Sequence, residues 1–287
     1  MKLNISIKRF ILLFLISVPS VLMAQKPIVV NLWPDGVSEE NGLKGDEVRT
    51  APNFIVNISK ASMTVYPSSK PGSKAIIMCP GGGYMGECVT YEGHDMASWM
   101  NANDVTFIVL KYRLPNEHYN IPLADVHQAI RLARQNCKAW NINPHEVGIM
   151  GASAGGHLAA TSANMYDNDT RPDFQILLYP VITMRNYTHK GSRENLLGKL
   201  PMNDLIDKYS MELQVTNNTP RAFIVLSSDD DVVPPANSIN YFTALLKHHV
   251  SVTMHIYPTG GHGFGFQDNF AFKRQWTEEL EKWLRTF

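Results

Sequence analysis

Gly151-Ala152-Ser153-Ala154-Gly155 is a G-x-S-x-G arrangement, and the chain around it carries the other groups a serine nucleophile needs. A short apolar run, Val147-Gly148-Ile149-Met150, precedes it, and a helix-like segment starts at Leu158. Between a strand and a helix, such a turn strains the serine backbone, and its small neighbours let the two elements approach closely. The hydroxyl then projects into an open site. Outside that setting the same residues make an ordinary helix-capping turn. A serine hydroxyl needs a base, and the histidines are not equivalent. His157 follows the elbow down its helix, His248 and His249 end a helix, and His255 alternates within a strand. His262 lies in Gly260-Gly261-His262-Gly263-Phe264-Gly265, a glycine-rich loop that can carry an imidazole to a distant serine. The acid that would orient it stands in Asp229-Asp230-Asp231, at the end of a strand. Three adjacent aspartates leave the choice open, with two of them reading as a solvated turn and helix cap.

Acyl transfer also needs donors for a developing oxyanion. Pro80-Gly81-Gly82-Gly83-Tyr84 follows an apolar run and exposes backbone N–H groups free of side chains. We expect Gly82 and Gly83, with the N–H of Ala154, to form the oxyanion hole, and Tyr84 to touch substrate. The rival phosphate-binding reading lacks a following Gly-Lys-Ser/Thr or a G-x-G-x-x-G. A merely flexible turn is the bland alternative.

The elements that would position these groups can be read in order. Residues 26–60 form an extended lead-in, and 61–67 a first strand. Lys74-Ala75-Ile76-Ile77-Met78-Cys79 reads as a strand buried on both faces, because it is apolar without alternation. A helix is expected over 93–101, a strand over 105–110, and an amphipathic helix over 123–139. Arg113 is expected in a structural ion pair with Glu92 or Asp95, and Asp125 in the first turn of its helix, favouring the dipole. Further strands are expected at 174–180, 222–226 and 252–257, with helices over 237–247 and 273–287. Residues 181–219 break this alternation and read as a lid-like insertion over the site, with His189 as a loop residue making a hydrogen bond and contact with substrate as its lesser alternative.

Strands alternating with helices imply an α/β domain with a mostly parallel central sheet. The 287 residues suffice for one such domain, assigned to 25–287. Lys+Arg and Asp+Glu both number 26, so no basic surplus points to nucleic acid. Lys2, Lys8 and Arg9 precede the apolar stretch Phe10–Met23, which is short for a membrane span; residues 1–24 read as a signal peptide, cut after Ala24. Export to the periplasm or outside the cell is the expectation, without stable membrane insertion. Cys79 and Cys88 can pair in an oxidising compartment or remain buried thiols. No CxxC or HExxH spacing suggests a metal, and no cofactor is expected.

The order Ser153, an Asp among 229–231, then His262 is that of the α/β-hydrolase fold. With Leu32-Trp33-Pro34, Lys111-Tyr112-Arg113-Leu114-Pro115 and Ser192-Arg193-Glu194-Asn195-Leu196-Leu197-Gly198, these motifs make the chain resemble secreted esterases of the hormone-sensitive-lipase-like group, in particular the bacterial acetyl xylan esterases. The resemblance covers nearly all of the chain after residue 24. It implies a Ser153, His262 triad whose acid stands three residues before the Val of a Val-Pro pair, which selects Asp230. It implies deacetylation of an acetylated oligo- or polysaccharide such as xylan. Many relatives carry Phe where Ala152 stands, so a little space opens beside Ser153. Feruloyl or general short-chain esters are the alternative substrates. A non-catalytic glycan-binding protein of the same fold is the alternative class, which fluorophosphonate labelling of Ser153 would separate.

Overall fold

The computed structural model describes residues 26–287. The signal peptide expected over residues 1–24 lies outside them. Among the described residues eleven strands run in order: β1 (Ile28–Asn31), β2 (Val48–Ala51), β3 (Phe54–Val56), β4 (Ser62–Tyr66), β5 (Ser73–Cys79), β6 (Gly86–Cys88), β7 (Val105–Lys111), β8 (Ile142–Ala152), β9 (Gln175–Leu178), β10 (Ala222–Ser227) and β11 (Val252–Tyr257). Eight form one sheet in the order β1-β4-β7-β5-β8-β9-β10-β11. The six strands from β7 to β11 in that order are parallel, and β1 and β4 add an antiparallel edge.

The sequence pattern of each strand follows from its place. Residues Ala75–Cys79 of β5 and all of β9 and β10 are buried, because helices cover both sheet faces there. In β4 only Met63 and Val65 point inward, the alternation of a strand with one covered face. The lead-in is more structured than expected. Its β1 pairs with β4, and β2 and β3 join β6 in a second, three-stranded antiparallel sheet.

Among the described residues seven α-helices accompany the sheet: α1 (Ala97–Ala102), α2 (Ile121–Gln135), α3 (Ser153–Asn164), α4 (Lys190–Leu197), α5 (Asn203–Lys208), α6 (Ala236–Lys247) and α7 (Lys273–Leu284). The amphipathic stretch after Ile121 buries Val126, Ala129, Ile130 and Ala133 as its spacing requires. It stops at Gln135, so Cys137 falls in the following turn rather than in the helix. α4 and α5 fall within the 181–219 insertion. No helix among the described residues is long and apolar enough to cross a membrane. The three cysteines are free: Cys79 is buried, and Cys88 and Cys137 are half-buried.

The strand order reverses direction at β5, since the chain passes from β5 to β7 on one side and then to β8 on the other. A crevice at the carboxyl ends of the strands is the expected ligand position in such a sheet. The segments that follow β5, β8, β10 and β11 carry the glycine loop, Ser153, Asp230 and His262.

Arg113 does not pair with Glu92 or Asp95 as expected. Its Nη2 and Nε bind Asp125 at 2.6 and 3.0 Å, its backbone N–H donates to the same carboxylate at 2.8 Å, and Nη1 donates to the carbonyl of Glu39. Trp33 Nε1 donates to Asp125 at 2.7 Å, so the acid clasps the lead-in to α2 rather than serving the helix dipole. Both charged groups are buried, at 3% and 0% exposure. Breaking a buried, fully bonded pair strands the remaining charge in a low-dielectric site. Asp125→Ala is therefore expected to cost about 3–5 kcal/mol in urea unfolding. Lys70→Ala, which breaks the exposed Lys70–Asp104 pair, should cost under about 1 kcal/mol in the same measurement.

Candidate active site

At the end of β8 the backbone of Ala152 is extended, and Ser153 turns to φ +52, a left-handed conformation unfavourable for a residue with a Cβ. The turn closes because two glycines permit contacts that a side chain would block. A Cβ on Gly151 would strike the carbonyl of Gly155, and one on Gly155 would strike the carbonyls of Cys79 and Pro80. The elbow thereby sits directly on the end of β5, and α3 begins at the serine itself.

Ser153 Oγ lies 2.8 Å from His262 Nε2, and His262 Nδ1 lies 2.7 Å from Asp230 Oδ2. A carboxylate only accepts, so Nδ1 carries the proton and Nε2 accepts from the serine hydroxyl. The second oxygen of Asp230 accepts from the N–H groups of Val232 and Val233 at 3.0 and 2.8 Å. Asp230 is buried, whereas Asp229 and Asp231 are exposed. Asp229 plays a separate part, because its carboxylate accepts from the N–H groups of Gly260 and Gly261 and so anchors the loop that carries His262. The three aspartates are thus distinguished by burial, which their adjacency in the chain does not disclose.

The N–H of Gly81 is taken by Glu92 Oε2 at 2.9 Å. Those of Gly82 and Gly83 donate to no protein acceptor among the described residues. The N–H of Ala154 belongs to the first turn of α3, where helical amides lack intrahelical partners. The three donors named from the sequence thus have no competing acceptor among the described residues, and the loop meets the elbow at Gly81, where an added Cβ would lie 2.9 Å from that of Ser153.

Tyr84 is placed differently from expectation. It is 2% exposed, and its hydroxyl donates to His157 Nδ1 at 2.9 Å. His157 Nε2 in turn donates to the carbonyl of Tyr209 at 2.8 Å. Burial lowers the pKa of His157 to about 4, so the ring is neutral and bridges the glycine loop, α3 and the insertion. The Tyr84 hydroxyl is a strut under the loop rather than a group free to bind substrate, and only an edge of the residue reaches the cavity beside Met85 and Asn195. Its ring packs edge-on against Tyr112 and His157, and its backbone takes φ +59 directly after Gly83.

Two site residues carry no local signal in the sequence. Glu92 is 2% exposed; besides Gly81, it accepts from Tyr179 Oη at 2.7 Å. Tyr179 Oη accepts from the N–H of Gly265 at 2.9 Å, and its ring meets that of His262 edge-on at 4.9 Å. Burial raises the pKa of Glu92, while Tyr179, Gly81 and His262 oppose the rise. One buried carboxyl thus ties the oxyanion loop to the histidine loop. The insertion joins the same frame: Val181 N donates to the carbonyl of Ser153, and Asn195 Nδ2 donates to the carbonyl of Gly83 at 2.8 Å.

Sheet order, elbow and hydrogen-bond chain together define a class, and the comparisons agree with it. The chain belongs to the alpha/beta hydrolase fold family, whose pattern matches residues 76–266. It is similar to an acetylxylan esterase of Xylanibacter ruminicola, at 40% identity over 248 residues, covering 84% of this chain and 52% of that protein. It is also similar to endo-1,4-beta-xylanase B of Butyrivibrio fibrisolvens, at 34% identity over 203 residues, 66% of this chain and 32% of that one. The chain thus spans about half of the first relative's length and about a third of the second's. Among solved structures, an acetyl ester-xyloside bifunctional hydrolase from Caldicellulosiruptor lactoaceticus superposes with a TM-score of 0.75 at 33% identity, covering 90% of this chain and 96% of that one.

Replacing Glu92 by Gln leaves one oxygen to serve two donors and turns an amide N–H₂ against one of them. A misplacement of about 1 Å at a reacting centre can cost ~10²-fold in rate. Glu92→Gln is expected to lower kcat/KM for an aryl acetate by roughly 10- to 100-fold with far-UV circular dichroism unchanged. A variant as fast as wild type would remove Glu92 from the site.

Proposed function

We propose that the protein is a serine esterase that removes acetyl groups from a plant polysaccharide of the xylan type. The observation that carries this reading is the continuous chain from Ser153 Oγ through His262 to Asp230, at 2.8 and 2.7 Å. The substrate class is supported by the 40% identity to an acetylxylan esterase and by the match to an acetyl ester-xyloside hydrolase.

In this reading His262 takes the proton of Ser153 as its oxygen attacks the acetyl carbonyl. Asp230 keeps the ring in the tautomer with Nδ1–H and stabilises the imidazolium. The amides of Gly82, Gly83 and Ala154 receive the oxyanion, each worth about 3 kcal/mol in comparable sites. The imidazolium then protonates the departing sugar oxygen, which leaves the acetyl group on Ser153. Water, activated by neutral His262, attacks that ester and releases acetate with the serine restored. We further propose that the protein acts after export, supported by the basic and then apolar opening of the sequence.

Acetate release from acetylated xylan by wild type and Ser153→Ala, alongside turnover of an aryl acetate and methyl ferulate, tests the reading. Wild type should release acetate from xylan, and Ser153→Ala should lose at least ~10³-fold in kcat on every ester. Turnover of the aryl acetate without xylan would keep the triad and reject the substrate. Faster turnover of methyl ferulate than of either acetate would point to a feruloyl esterase.

A further inference from the structure

The insertion brings to the site a titratable group that the triad does not use. His189 caps α4: its Nδ1 accepts from Ser192 N at 3.3 Å and stands 2.8 Å from Ser192 Oγ. A backbone N–H can only donate, so Nδ1 of the neutral ring carries no proton and Nε2 carries it. That Nε2–H has no acceptor among the described residues. Burial first, and the nearby His262 second, lower the pKa of His189, so the ring is neutral at pH 7 and its tautomer is fixed by Ser192.

The ring stands beside the oxyanion loop. A Cβ added to Gly83 would lie 3.7 Å from His189 Cε1. Asn195, further along α4, holds the carbonyl of Gly83 at 2.8 Å, so the helix and the loop are fixed to each other. A cavity of 450 Å³ opens against the same pair of elements, lined among others by Met85, Asn116, Glu117, Glu194 and Asn195. Its volume is in the range of small-ligand sites, and its amides and carboxylates match a hydroxyl-rich molecule.

An acetyl group offers one acceptor, its carbonyl oxygen, and the amides of Gly82, Gly83 and Ala154 take that. A further donor beside the loop has nothing to bind unless the alcohol half of the ester carries oxygens of its own. We propose that His189 is a substrate-binding residue whose Nε2–H donates to a hydroxyl or ring oxygen of the sugar that bears the acetyl group. The glycan then continues into the cavity beside Asn195. This rests on the sugar-acetate reading above and names the residue that would discriminate such esters from simple ones.

His189→Asn tests it, because Asn keeps a cap acceptor for Ser192 N and lacks the distal donor. His189→Gln is the converse, with an amide N–H near the position of Nε2. The substrates are methyl xyloside monoacetate and p-nitrophenyl acetate, whose leaving group has no hydroxyl. His189→Asn should raise KM for the sugar ester by about tenfold, the loss expected for one hydrogen bond, and leave the aryl ester within about twofold. His189→Gln should recover part of that loss, and thermal unfolding should be unchanged in His189→Asn. Equal losses on both esters, or none on either, would overturn the proposal. Wild type that cleaves the small sugar ester but not polymeric acetylated xylan would reject the polysaccharide reading and leave the His189 comparison valid. Wild type inert toward the sugar ester would reject both.

Discussion

The site depends on one buried carboxyl group. Glu92 accepts from Gly81 on one side and from Tyr179 on the other, and Tyr179 accepts from Gly265. Backbone bonds from Phe266 to the carbonyl of Tyr91 and from Cys88 to that of Gly81 run alongside it, but the Glu92 carboxyl is the side chain that reaches the glycine loop after β5 and, through Tyr179, the histidine loop after β11. A buried acid is expensive unless both oxygens are bonded, and here both are. The cost of burying it is offset by fixing two loops that contribute opposite halves of the chemistry. The donors that would receive an oxyanion and the ring that would take the serine proton are held to a common reference.

The strain at Ser153 belongs to the same arrangement. A left-handed serine persists only where its surroundings over-determine it. Here Gly151 and Gly155 allow the turn to pack on the carbonyls that end β5, and the carbonyl of Ser153 is held by Val181 at 3.0 Å. Asp229 and Asp230 divide the remaining work, one anchoring the backbone of the histidine loop and the other its side chain. The insertion is part of this frame as well. Asn195 reaches the loop carbonyl at Gly83, and Tyr209 closes the relay through His157 to Tyr84.

Much of this is legible in the sequence, and the limits have physical causes. The buried parallel strands announce themselves as short apolar runs, and Ser153 and His262 sit in glycine-rich contexts that only sharp turns require. Asp230 cannot be chosen from its neighbours by composition, because burial separates the three and burial is a tertiary property. Glu92 stays hidden for a related reason. Its partners lie 11 and 87 residues away, and nothing local distinguishes it from a solvated acid. Arg113 reads correctly as structural, but its partner Asp125 reads as a helix-dipole charge because that bland role suits its sequence position. The burial of Tyr84 is hidden because the partner of its hydroxyl, His157, lies 73 residues away and nothing local marks the ring as buried.

Every step proposed for this site passes through a covalent bond between Ser153 and the acyl group. Rapid quenching of wild type during turnover of an aryl acetate, followed by peptide mass spectrometry, observes that bond directly. The expected result is an acetyl adduct on the peptide containing Ser153, absent when the aryl acetate is omitted. An adduct on another residue would move the nucleophile elsewhere. Steady turnover with no adduct, under quenching fast enough to trap one, would contradict an acyl-enzyme at Ser153.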